Sequence, residues 1–125
     1  MIDRLFSSNN YDAAKRMMDI AVMRQEALSS NIGNLETPGY KRVDLPKDFQ
    51  AVFTQALKAA QVKSVGAPEL IQDLDSPAQR KDGNNVVLQE ELMTMNKNAA
   101  EYEALTDFVS GTMKTLRTAI VGHVQ

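Results

Sequence analysis

The chain has 125 residues, 14 basic and 16 acidic side chains, a formal net charge of −2 and no cysteine. That length holds one folded unit rather than two independent cores, and balanced charge with no Lys/Arg block argues against capture of nucleic acid or anionic lipid. The lack of cysteine rules out disulfides, thiolate metal sites and cysteine nucleophiles, and it lets a chain enter an oxidising compartment without mispairing.

The opening Met1-Ile2-Asp3-Arg4-Leu5-Phe6 lacks an apolar region followed by a small-residue cleavage site, and no apolar run approaches ~18 residues. The reading therefore predicts neither a cleavable signal peptide nor a membrane span. Residues 9–35 contain no proline, and Ala14, Met18, Ala21, Gln25, Leu28, Ile32 and Leu35 recur at spacings of four and three. This predicts a first helix with an apolar stripe, interrupted once by Gln25. Asn9 and Asp12 can cap its start, while Ile2, Leu5 and Phe6 extend its apolar pattern upstream. Near its end lie Ser29, Ser30 and Gly33; a helical glycine costs about 1 kcal/mol relative to alanine unless close packing offsets it, so tight packing is expected there.

Pro38 disfavours helical geometry at Thr37, and Pro38-Gly39 fits the centre of a type II turn. The chain is expected to reverse before Tyr40. Leu45-Pro46 then opens a shorter helix over residues 47–62, with Phe49, Val52, Phe53, Ala56, Leu57 and Ala60 on one face. Residues 63–85 carry Gly66, Pro68, Pro77 and Gly83, a density of breakers that predicts a loop-rich, partly disordered stretch with a short extended piece near residues 70–74.

Leu88, Leu92, Met95, Ala99, Tyr102, Thr106, Val109, Met113, Leu116 and Ile120 again alternate by four and three, the strongest periodic signal in the chain. Glu90 and Glu91 near the start and Lys114 and Arg117 near the end complement the macrodipole of such a helix. The expected fold class is all-α. Long N- and C-terminal helices pair as a coiled-coil-like layer, and a short middle helix and a loop-rich segment separate them. The chain divides into residues 1–42, 43–84 and 85–125.

Aromatic residues make up only 6% of the chain and tryptophan is absent, which leaves the packing to aliphatic side chains and methionine and suits helix seams. The first helix covers only one side of the C-terminal stripe, and Leu105 and Phe108 widen that stripe, so apolar surface is expected to remain for neighbours. We assign the assembly seam to Leu28, Ile32, Leu88, Leu92, Met95, Tyr102, Val109, Met113, Leu116 and Ile120.

Candidate chemistry is sparse. His123 has no companion ligands at metal spacing, Asn31 and Asn34 have no nucleophile–base pair beside them, and no phosphate-binding glycine loop is present. Asn31 and Asn34 read as hydrogen-bonding the chain reversal, and Glu90, Glu91, Glu101 and Glu103 as a solvated face or ion-pair partners between subunits. No catalytic, cofactor or metal site is expected, and no enzyme.

Ser30-Asn31-Ile32-Gly33-Asn34-Leu35-Glu36-Thr37-Pro38-Gly39-Tyr40 resembles the A-N-x-A-N-x-x-T-P-G-Y motif of the flagellar rod and hook axial-protein family. Asp82-Gly83-Asn84-Asn85-Val86 ahead of a long helix is similar to the D-G-N-x-V segment of its proximal-rod members, as are the first five residues, Tyr102-Glu103-Ala104-Leu105 and Leu116-Arg117-Thr118-Ala119-Ile120. The resemblance covers both termini and leaves the middle unmatched. Ser30 and Gly33 stand where the family has small alanines, and Val87 where proximal-rod chains commonly have Asp, which weakens a helix cap.

What the resemblance implies is a structural rod subunit of the basal body, located in the periplasm and exported from the cytoplasm by the flagellar type III apparatus. It would contact copies of itself, FliE, FlgC and other axial proteins. Asn31, Asn34, Thr37, Pro38, Gly39 and Tyr40 would be the motif turn, and Ile2, Leu5 and Phe6 would contribute to recognition at the export gate. The alternatives are another rod subunit such as FlgC, or a soluble helical adaptor or export chaperone that stays in the cytoplasm.

Overall fold

A computed structural model describes residues 9–122. Ile2, Leu5, Phe6 and His123, and the side chain of Asn9, lie outside what it describes. The first helix, α1, is Asn9–Gly33, and the last, α3, is Leu88–Val121. At 25 and 34 residues they are about 37 and 51 Å long. Asn31 meets Glu91, Ala21 meets Asn98 and Tyr11 meets Met113, so the two helices run antiparallel. Theirs is the most extensive contact between any two elements.

Between them lie a two-residue strand β1 (Val43–Asp44), helix α2 (Phe49–Lys58), a 3-10 turn (Val62–Ser64) and strand β2 (Ile71–Gln72). The strands pair antiparallel, Val43 opposite Gln72 and Asp44 opposite Ile71. Among the described residues no helix is long and apolar enough to cross a membrane.

Helix α1 is buried on two sides. Ala14, Ala21 and Leu28, seven residues apart, are all buried. The methyl side chain of Ala21 lets α3 come close enough for the Asn98 amide to donate to the Ala21 carbonyl oxygen at 2.9 Å. On another side Ala13 and Ile20, with Met17 beside them, pack on Phe53 and Val62, and Phe49 stacks on Phe53 with ring centroids 6.0 Å apart. The middle segment is thus bolted to α1 by a small apolar core of its own. Asp12, a candidate cap residue, pairs instead with Lys63 of this segment at 3.4 Å.

Helix α2 is shorter than the expected 47–62. Ala60 adopts φ 55°, and the Gln61 N–H bonds back to the Ala56 carbonyl at 2.9 Å, the left-handed stop that usually falls on glycine. Nothing in Ala59-Ala60-Gln61 marks that stop in the sequence, so the periodic pattern overshoots it. Val62 is buried from the 3-10 turn that follows. Gly33 also departs from expectation: a Cβ there would meet nothing within 4 Å. It is exposed at the last position of α1 and serves no close approach among the described residues.

Because an L-residue in the left-handed region costs roughly 1–2 kcal/mol, Ala60→Gly should stabilise the chain by about 1 kcal/mol. Urea unfolding followed by far-UV circular dichroism measures this; an unchanged or lower midpoint contradicts the strain assignment.

Candidate assembly site

The site has two parts, a polar knot that fixes the two long helices and an outer apolar stripe on α3. The knot begins where α1 ends. The Asn34 side chain donates to the Ser30 carbonyl at 2.8 Å and accepts from the Thr37 hydroxyl at 3.1 Å. The Tyr40 N–H bonds the Thr37 carbonyl at 3.3 Å with Gly39 at φ 71°, as a type II turn requires. The chain then runs back past α1, and Asn31, fully buried, receives it. Its Oδ1 accepts from the Val43 N–H at 2.8 Å and the Tyr40 hydroxyl at 3.1 Å, and its Nδ2 donates to the Val43 carbonyl at 2.9 Å and to Glu91 at 3.1 Å. The amide acts as a stand-in peptide that pairs both backbone groups of Val43, with all its donors and acceptors used.

Asp82-Gly83-Asn84-Asn85 closes the knot from the other side. The Asn84 amide donates to the carbonyls of Asn34, Leu35 and Thr37 at 3.1, 3.0 and 2.9 Å, and so satisfies carbonyls left open at the end of α1. Asn85 accepts from the Arg42 N–H at 2.7 Å and donates to the Asp73 carbonyl at 2.8 Å. Two sequence motifs some fifty residues apart therefore form one hydrogen-bonded unit.

At its centre Arg42 bonds Glu91 at 2.8 Å, Asp73 at 2.7 Å and Asp44 at 3.2 Å. Burial works against the charge on Arg42, but the bonds to Glu91 and Asp73 outweigh it and hold its pKa above the ordinary value. The Ser76 hydroxyl, with Arg42, holds the Asp73 carboxyl well below the usual carboxylate range despite its burial. No buried side-chain nitrogen or oxygen among the described residues lacks a partner, the condition under which buried polar groups specify a structure instead of weakening it.

Glu91 is only 3% exposed, not part of a solvated face, because Arg42 and Asn31 occupy its oxygens. Glu101 pairs within the chain, with Arg24 at 3.4 Å. Arg42, Asp73, Asn84, Asn85 and Asn98 were not picked out as a group by the sequence. The signal that was available is Gln25 on the α1 stripe: a polar residue there calls for a polar partner, and Asn98 approaches it at 3.5 Å.

The seam residues divide. Leu28 is buried, and Ile32, Met95, Val109 and Leu116 are half-buried. Leu88, Leu92, Tyr102, Met113 and Ile120 are exposed, Ile120 at 73%. On α3 Glu91 and Asn98 are buried and Met95, Leu105, Val109, Thr112 and Leu116 half-buried, whereas Leu92, Ala99, Met113 and Ile120 are exposed. Of these Glu91 serves the knot and Asn98 bonds the Ala21 carbonyl, so polar groups take part of the inner face while those four side chains stay on the outside. Of the motif turn, Asn31 is buried, Asn34 and Tyr40 are half-buried, and Thr37, Pro38 and Gly39 are exposed.

No family model matches the chain. It is similar to the flagellar basal body rod protein FlgB of Aquifex aeolicus, 31% identical over 115 residues that cover 89% of this chain and 92% of the relative. It is also similar to those of Aeromonas hydrophila, 27% identical over 97% of this chain and 96% of the relative, and Escherichia coli, 24% identical over 96% and 97%. The chain belongs to the FlgB family of flagellar basal body rod proteins.

The ionised form of Asp73 stabilises the fold fully above the unfolded carboxylate value near 4, and that contribution is lost as pH falls toward the depressed folded value. Asp73→Asn should therefore cost about 2 kcal/mol at pH 7 and much less near pH 3. Urea titrations of both chains at the two pH values test this, and a difference that does not shrink on acidification refutes the role of the charge.

Proposed function

We propose that the chain is a structural, non-enzymatic subunit of the proximal rod of the bacterial flagellum, exported by the flagellar type III apparatus and built into the rod through its terminal helices. The observation that carries this reading is the apolar row of α3 left outside the hairpin, from Leu92 to Ile120, in a chain whose family is named for the rod. Exposed apolar side chains lined along one helix face are costly in water and mark a contact surface. The knot supports the same reading, since it holds the stripe at a fixed place relative to the T-P-G-Y turn. Copies of the chain, FliE, FlgC and other rod subunits are the partners this role requires, and the periplasmic part of the basal body is where it is carried out.

A tagged chain should co-purify with isolated basal bodies and cross-link there to FliE or FlgC. Leu92→Asp should keep its helical circular dichroism, because Leu92 is exposed, yet reduce incorporation and swimming at least tenfold. A chain that remains in the cytoplasmic fraction favours the adaptor or chaperone reading, and normal motility with Leu92→Asp removes the stripe from assembly.

A further inference from the structure

The short sheet of the middle segment has one edge left open. Val43 lies opposite Gln72, and the Asp73 N–H bonds the Arg42 carbonyl at 2.8 Å. In an antiparallel pair the backbone groups of successive residues point alternately toward the partner strand and away from it. Val43 turns its N–H and carbonyl away from β2 and onto the Asn31 amide. Gln72 correspondingly turns its own away from β1, and neither these groups nor those of Leu74 have a partner among the described residues. One edge of the sheet is thus filled by a side-chain amide, and the other is a free template for a further strand.

The residues around that edge select which strand fits. Side chains of an extended strand alternate between two faces. Over residues 69–75 the odd positions hold Glu69, Ile71, Asp73 and Asp75, and the even positions Leu70, Gln72 and Leu74. Ile71 is 48% and Leu74 70% exposed. Beside them opens a cavity of about 300 Å³ walled by Leu45, Pro46, Ile71 and Leu74, with Asp48 among its lining. Asp48 and Glu69 have no ion pair among the described residues, and the Asp75 carboxylate meets Lys47 at 2.9 Å in an exposed pair that contributes little. A second copy is the wrong occupant. Antiparallel pairing of two β2 strands about Gln72 would set Glu69 of each against Asp75 of the other, like charges directly opposed.

We infer that β2 accepts an extended polypeptide segment of another protein, antiparallel to it, in which aliphatic residues alternate with Lys or Arg. The central residue of that segment exchanges two backbone hydrogen bonds with Gln72, its aliphatic side chains lie beside Leu70 and Leu74, and its cations face Glu69 and Asp75. Main-chain bonds give such a complex its affinity and the alternate side chains its selectivity. None of these residues lies on the α3 stripe, so the inference stands apart from the assembly role proposed above.

The probe is a fluorescein-labelled heptapeptide of alternating lysine and valine, with lysine at both ends, added to the purified full-length chain. Fluorescence anisotropy should show saturable binding. Methylating the backbone nitrogens of the valines, which face β2, should weaken it at least tenfold, whereas methylating those of the inner lysines, which face away, should change it less than twofold. Gln72→Pro removes the outward N–H, and because that N–H takes no part in the pairing with β1 a proline is accommodated there; the chain should keep its urea midpoint and lose binding at least tenfold. Glu69→Lys with Asp75→Lys should exchange the preference, so that the same peptide with Glu in place of Lys binds at least tenfold more tightly than the lysine peptide. The methylated peptides and the charge exchange decide the matter even where proline perturbs the fold. Undiminished binding to a folded Gln72→Pro chain places the peptide elsewhere and overturns the inference, as does equal binding of the Lys and Glu peptides to the unaltered chain, or binding of neither. Dimerisation of the unaltered chain that Gln72→Pro abolishes assigns the edge to a second copy and overturns it too.

Discussion

The fold depends on the side-chain amide of Asn31. It sits at 0% exposure on α1, the helix that everything else packs against, and its four bonds reach the returning strand, the tyrosine of the turn and the carboxylate of the opposite helix. An apolar residue at that position would leave the N–H and C=O of Val43 and one oxygen of Glu91 short of a partner, each such group costing about 1–3 kcal/mol when desolvated, and would leave the Tyr40 hydroxyl with Ser30 alone. Around the amide the structure extends by the same rule. Each buried polar atom calls for the next, from Glu91 to Arg42, from Arg42 to Asp73, and from Asp73 to Ser76 and the backbone that Asn85 grips. The result is a small chain with little apolar core whose middle is nonetheless fixed by directional bonds.

This explains why a segment rich in Gly, Pro, Asp and Asn does not need hydrophobic mass to hold its shape. Residues 73–87 contribute one buried apolar side chain, Val86, yet Asn84 and Asn85 anchor the stretch at both the α1 terminus and the β1 strand. The apolar contribution comes from the other side of α1, where Phe53 and Val62 cover Ala13 and Ile20. Helix α1 is thus held by an oily contact on one side, and on the other α3 is attached through Glu91 and Asn98 beside the buried Ala14, Ala21 and Leu28. That division frees the aliphatic residues of α3 for the outer surface.

Much of this was legible in the residues. The two long helices follow from unbroken periodicity, and the reversal from Pro38-Gly39, whose geometry requires a particular backbone. The two family motifs were visible as separate strings, but their meeting was not, because side-chain amides carry no periodic signature and pair over fifty residues apart. The same limit hides the polar part of the inner face of α3. Hydrophobic spacing finds Met95, Val109 and Leu116, which are half-buried, but also Leu92, Ala99 and Met113, which are exposed, because a rule that puts oily residues inside misses an ion or an amide such as Glu91 and Asn98 on the inner face. Ala60 shows a third limit, since a left-handed stop on alanine is imposed by the burial of Val62 beyond it and by no local residue preference.

The polar row of α3 also governs how the hairpin responds to shear. In a seam of uniform leucines, one helix can slip a heptad along its partner at modest cost, because every notch looks alike. Here a slip would strand the Glu91 carboxylate and the Asn98 amide among groups that cannot answer them, several kilocalories per mole for the charge alone. The two helices consequently have a single detent. A load passed along the molecule is transmitted from one end to the other without creep, and the distance from turn to outer stripe works as a calibrated length.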